Sequence, residues 1–215
     1  MECLLGIRFK DYVILAADMT QMNSIVLMKN TVNKLLRLSS HSVMAMTGHS
    51  GDTAQLAKYV QSNLKLYKMK NGYDLSVASS AHLTSRITAG ALRSPTPMNV
   101  DMVLAGFDPE TGPQLYRIDC LGTLSSLPAV TIGHGGYFTI GIMDLFCDMK
   151  NTVDDGYEII KTCIGEIMKR FIINLRAFRV SVVDKDGVKD LPDVTVESLN
   201  LEEHQTLSAT ECALN

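Results

Sequence analysis

Residues 12–18 read YVILAAD and residues 42–48 read SVMAMTG. Each is a short, nearly continuous apolar run, rich in aliphatic side chains and closed by a polar residue or a glycine. Runs of this length and continuity predict strands covered on both faces rather than half-solvated ones. Working outward from 12–18, CLLGIRF (3–9) is a second such run, and Lys10-Asp11 between them has the length of a tight hairpin connection. SIVLMKN (24–30) and NKLLRLS (33–39) fill the interval before 42–48, so the first fifty residues predict a succession of short strands. The chain enters the first of these strands almost at once, at MECLLGI (1–7), which makes its terminus a candidate reaction centre.

Helical periodicity follows. In 52–71, Leu56, Ala57, Val60, Leu64 and Tyr67 share one face, and Asn71-Gly72 supplies a stop. In 76–93 the stripe is narrower, Leu83, Ile87 and Ala91 padded by Ala and Ser, and Ser94-Pro95 ends it. Strands return at VDMVLAGFD (100–108) and QLYRIDC (114–120) around the turn PETGP, then at AVTIG (129–133), which leads into Gly133-His134-Gly135-Gly136. Residues 137–148 are almost all apolar and predict a buried helix. Residues 152–173 predict an amphipathic one with Ile159, Ile160, Cys163, Ile167 and Phe171 on one side. FRVSVVDKDG (178–187) is a last strand turning at Asp186-Gly187. The order strands, two helices, strands, two helices, strand predicts an α+β layered sandwich with helices on the outer faces of two sheets. No linker composition divides the chain: residues 1–191 form one domain, and from residue 192 the pattern fades into a tail or arm.

Composition narrows the function. With 46% hydrophobic and 20% charged residues the chain is that of an ordinary globular domain, and its net charge of −3 offers no basic excess for nucleic acid. No apolar run approaches the roughly 20 residues of a membrane span, and no secretory leader opens the sequence. The five cysteines are odd in number and widely spaced, without a CxxC pair, so neither a zinc site nor a disulfide framework is expected; reduced thiols of the cytoplasm or nucleus are.

Several segments, in order, carry a specific likeness. YVILAAD (12–18), TVNKLLRLS (31–39), VMAMTGHSGD (43–52), DMVLAGFD (101–108), GHGGYFTIGIMD (133–144) and VVDKDG (182–187) resemble the β subunits of the 20S proteasome over roughly residues 2–191. LYKMKNGYDLS, LRSPTP and IGEIMKRFIINL are similar to the type-4 subtype, type 2 in mammalian naming. The α subunits of that particle carry an added N-terminal helix for which this chain has no room. The resemblance implies a four-layer α-β-β-α sandwich of the N-terminal nucleophile hydrolase type. In active members an N-terminal Thr attacks a peptide carbonyl, its own amine helping to move the proton. A Lys favours the activated form, an Asp orients that Lys, a glycine N–H stabilises the oxyanion, and a Ser/Asp pair completes the network.

Asp18 and Lys34, sixteen residues apart, match the Asp and Lys, and Gly48 matches the oxyanion glycine. The other half is missing. Sixteen residues before Asp18 stands Glu2, which has no amine of its own because Met1 precedes it. His134 replaces the serine of the glycine corner, Phe171 stands where the Asp belongs, and Asn174 where the second Ser belongs. No propeptide whose removal would expose a fresh N-terminal Thr is expected. The resemblance therefore implies a subunit without catalytic residues, cofactor or metal. Its partners would be the other β subunits of a seven-membered ring, the second β ring and the adjoining α ring, with no nucleic acid and no membrane.

Bland readings accompany the remaining features. Asp18 and Lys34 are expected to form a strand-end surface ion pair contributing about 0–1 kcal/mol. Gly133–Gly136 is expected to be a glycine-requiring turn rather than a phosphate loop, with His134 hydrogen-bonded rather than metal-bound. The scattered methionines fit core filling or an interface equally. An outer helix as apolar as 137–148 is expected to present some surface to another subunit. The competing enzymatic reading is an independent N-terminal hydrolase using Cys3, which would require loss of Met1 and Glu2 and sits one residue out of register with Asp18 and Lys34.

Overall fold

A computed structural model describes residues 2–23, 26–147, 152–171, 173 and 175–199. Its strands and helices follow in the order β1 Leu4–Arg8, β2 Val13–Asp18, β3 Gln21–Asn23, β4 Val26–Lys29, β5 Leu35–Ser39 and β6 Ser42–Gly48, then α1 Ser50–Asn71 and α2 Val77–Leu92. The second half adds β7 Val100–Asp108, β8 Gly112–Ile118, β9 Leu124–Ser126 and β10 Ala129–Ile132. It closes with α3 Gly136–Phe146, α4 Val153–Arg170, β11 Ala177–Asp184 and β12 Gly187–Thr195. Two five-stranded antiparallel sheets result, ordered β10-β1-β2-β11-β12 and β5-β6-β7-β8-β9.

The two-residue alternation of strands explains the layers. In β2, Val13, Leu15 and Ala17 face the second sheet and meet Val43, Ala45, Val103, Ala105 and Leu115. Ile14 and Ala16 face the other way, against Ile160, Ile164 and Ile167 of α4 and Met143 of α3. In β6, Val43 and Ala45 face the first sheet while Met44 and Met46 pack under Leu56, Val60 and Leu64 of α1. Every residue of β2 is buried, and so is all of β6 save Gly48, because helices lie outside and a sheet lies inside. The layers run α3/α4, sheet, sheet, α1/α2, the expected α-β-β-α sandwich. Most described methionines of the core, Met44, Met46 and Met102, fill the gap beneath α1 and α2.

Helix ends follow their local chemistry. Gly72, in the left-handed region, closes α1 by donating its N–H to the Lys68 carbonyl at 2.8 Å. Thr152 and Asp155 form a reciprocal capping box at the start of α4.

Several expectations are changed by the structure. The run 24–30 is not covered on both faces: β3 and β4 pair only with each other, and Val26, Leu27 and Met28 are exposed. Residues 24 and 25 lie outside the described residues. The buried face of α2 is wider than the expected stripe: Val77, Ser80, Ala81, Thr84 and Thr88 are buried, and Leu83 and Ile87 pack beside them, partly buried, against the same core. Thr84 and Thr88 hide their hydroxyls by donating to the carbonyls four residues back, Ser80 and Thr84. Helix α3 is not buried all round: only Gly136, Thr139 and Met143 are, while Tyr137 is 84% and Leu145 68% exposed. Residue 148 of that expected helix lies outside the described residues. Helix α4 stops at Arg170, with Phe171 extended, rather than at residue 173. Pairing of β12 with β11 persists to Thr195, beyond the point where the sequence pattern fades, and residues 200–215 lie outside the described residues.

Candidate functional site

Strand β2 delivers Asp18 to its C-terminal end, fully buried. One carboxylate oxygen accepts the Cys3 N–H at 2.8 Å; the other accepts the Thr20 N–H at 3.1 Å and the Thr20 hydroxyl. Lys34, just before β5, donates to both oxygens at 3.0 and 2.9 Å, and its side chain is only 7% exposed. The expected surface ion pair is thus a buried one. Burying two charges is tolerable only with close geometry and satisfied lone pairs, and Asp18 has both. Loss of either partner would strand a charge, so the pair cannot be valued at surface rates.

Lys34 serves a second carboxylate. Its Nζ lies 3.2 Å from Glu2 Oε1, while Glu2 Oε2 accepts the Gly48 N–H at 3.2 Å and the Thr47 hydroxyl. Glu2 shares the alternation of Leu4, which faces the inter-sheet core, and Thr47 shares that of Val43 and Ala45; the two strand ends therefore meet at the mouth between the sheets. Gly48 has φ +138°, and a Cβ there would collide with the Asn99 carbonyl oxygen, so only glycine supplies this N–H at this place. The Glu2 carboxylate bridges Lys34 and the N–H that the resemblance makes the oxyanion donor.

The corner 133–136 seats the same strand end. Gly133, at φ +88°, lies against the Glu2 carbonyl, where any Cβ would clash; a Cβ on Gly135 would come within 2.5 Å of Cys3 Sγ. Gly133 is required by close approach of the Glu2 backbone, and Gly135 by the Cys3 side chain packed against it. His134 is exposed and borders a shallow cleft of about 410 Å³ with Asp101, Arg117 and Tyr137, away from Lys34. Phe171 packs on the α4 side of the first sheet, and Asn174 lies outside the described residues. Among the described residues no cluster of three or more His, Cys, Asp or Glu side chains is placed to hold a metal.

Cys3 lies on the opposite face. Its side chain joins Leu5, Ile7, Ile164 and Ile167 in the core beneath the helices, fully buried. Burial pushes its thiol well above the usual range, the Asp18 carboxylate adds to this, and Lys34 only partly offsets it. The neighbouring Cys163 is pushed up to about 12 by burial as well. A thiol so held is not a thiolate nucleophile near neutrality.

Beside the cluster opens a cleft of about 490 Å³, walled by Gln21, Val32, Met46, Ala54 and Ala57, with Glu2 and Lys34 at its rim. Thr20, Thr47 and Gln21 are contributors that sequence reasoning did not single out. For Thr47 a signal existed: it precedes Gly48 and shares the inward alternation of its strand.

Comparison with known proteins adds a family match and three relatives. A family model described as "Proteasome subunit" matches residues 2–183. The chain is 38% identical over 190 residues to "Proteasome subunit beta type-2-A" of Arabidopsis thaliana, covering 88% of this chain and 93% of that one. It is 34% identical over 194 residues to "Proteasome subunit beta type-4" of Saccharomyces cerevisiae, covering 90% and 98%. It is also 37% identical over 192 residues to "Probable proteasome subunit beta type-4" of Neurospora crassa, covering 89% and 95%.

Proposed function

The chain belongs to the proteasome subunit family, and from that premise we propose that it is a non-catalytic β subunit of the 20S core particle, related to the type-2 and type-4 subunits. It assembles with other proteasome subunits, occupies a fixed place in the seven-membered β ring, and forms chamber wall for protein degradation carried out by its neighbours in the cytoplasm and nucleus. One observation carries this reading. The strand-end position that would hold the nucleophile bears Glu2, whose carboxylate sits on Lys34 and the Gly48 N–H. A carboxylate held there has neither the hydroxyl nor the free amine that attack requires. Nothing in the site favours the Cys3 hydrolase, since that thiol points into the helix-covered core and is held protonated.

The exposed Tyr137 and Leu145 on α3 support assembly, because a free-standing domain would pay in solubility for such a face. The test is native mass spectrometry of the tagged chain with its co-isolated partners, followed by intact-mass analysis after treatment with a threonine-protease-directed electrophile. Expected are distinct proteasome subunits and an unmodified chain retaining Glu2. A homo-oligomer, a stable monomer, or an adduct on a chain that starts at Cys3 would overturn the proposal.

A further inference from the structure

We propose that Lys34, Thr47 and Gly48 form a carboxylate-binding cradle of which Glu2 is the resident ligand, so that the cradle takes a small carboxylate from solution once the Glu2 side chain is removed. The inference rests on the geometry alone and does not depend on the chain's place in a ring.

Three donors converge on one carboxylate. The Lys34 ammonium contacts Oε1, and the Gly48 N–H and the Thr47 hydroxyl both contact Oε2. The Lys34 ammonium and the backbone of Thr47 and Gly48 are fixed by something other than Glu2. Lys34 is anchored by two hydrogen bonds to buried Asp18. Thr47 and Gly48 end β6 in register with Asp101 and Val100 of β7, and the backbone turn at Gly48 is held where only glycine fits, against Asn99. The donors are therefore preorganised, and a site preorganised for a carboxylate loses little on exchanging a tethered one for a free one. A tethered ligand, however, has a high effective concentration, so free anions cannot compete while Glu2 is present. As it stands the chain keeps carboxylates, including those of peptide ends, from lodging at the rim of the 490 Å³ cleft.

The experiment uses the full chain in the form in which it is isolated, with formate as the probe and chloride as the ionic-strength control. Thermal unfolding of the wild-type chain should not distinguish the two salts. Glu2→Ala should unfold a few degrees lower in chloride and recover in formate, saturably. In the Glu2→Ala, Thr47→Val double variant the formate response should weaken about tenfold, the loss of one good hydrogen bond to a charged group. Equal salt responses of wild type and Glu2→Ala, or a double variant that responds like the single one, would overturn the proposal. If Glu2→Ala folds only when formate is present, the proposal stands. If it fails with or without formate while Glu2→Gln behaves as wild type, the cradle requires side-chain volume rather than a carboxylate, and the proposal falls.

Discussion

At the scale of single residues, the charge cluster around Lys34 sets the strongest expectations. Asp18 is fully buried and Lys34 nearly so, which places the pair among those whose disruption costs about 3–5 kcal/mol rather than a fraction of one. Lys34→Met should lower the urea-unfolding free energy by that order; a loss under about 1 kcal/mol would return the pair to surface status. The thiols give a second check. Burial raises both Cys3 and Cys163, so iodoacetamide at pH 8 should leave both unlabelled in the native chain and label both in denaturant. Native labelling of Cys3 would contradict its place in the core. Asp18, Lys34 and Gly48 were legible in the sequence because the spacing of sixteen residues survives and the flanking strands are unmistakable. Their burial was not, since a spacing says nothing of how far the strand ends are roofed over. Nor could the seat of the Glu2 carboxylate be read, because its donors come from β6 and from the segment before β5, and only the docked sheets bring them to β1.

At the scale of elements, most strands and the buried face of α1 are legible as apolar runs or periodicity, whereas the exposure of 24–30 and of α3 and the full buried face of α2 are not. The central strands β2 and β6 are recognisable as doubly covered because nearly every residue is apolar, and the buried face of α1 follows its periodicity. The stretch 24–30 misleads: its hydrophobic residues match a core strand, yet β4 lies outside both sheets. Hydrophobicity alone cannot say whether the covering surface belongs to the same chain. In α2 the hydroxyl residues Ser80, Thr84 and Thr88 join the buried face beside Leu83 and Ile87, and a periodicity of apolar residues alone does not mark them. The α4 start is the best-defined cap. Thr152→Ala should cost about 1 kcal/mol by thermal or chemical unfolding. The hydrogen bonds from Thr152 hold the Asp155 carboxyl below its usual range. A depressed carboxylate contributes stability above its unfolded pKa and loses it as pH falls through the folded one. The capping contribution should therefore be intact at neutral pH and fade on the acid side of the carboxylate range. In Asp155→Asn that segment of the stability–pH curve should flatten, and an unchanged curve would remove Asp155 from the account.

At the scale of the whole molecule, the sandwich is closed inwardly and open outwardly. Its three hydrophobic layers are complete, and no buried side-chain polar atom among the described residues lacks a partner. On the outside, Tyr137 and Leu145 of α3 and Val26, Leu27 and Met28 of β4 remain uncovered. Tyr137→Glu combined with Leu145→Glu should leave the circular dichroism spectrum native, as both residues are exposed, while incorporation into the particle falls steeply on native gels. Undiminished incorporation would show that this face of α3 is not an interface. The β3–β4 pair belongs to neither large sheet, and β4 carries three exposed apolar side chains, Val26, Leu27 and Met28. An apolar strand lying outside both sheets favours association between unassembled copies. Chain held apart from partner subunits is therefore expected to aggregate more readily as its concentration rises, which light scattering measures, with the exposed apolar residues of β4 as the cause.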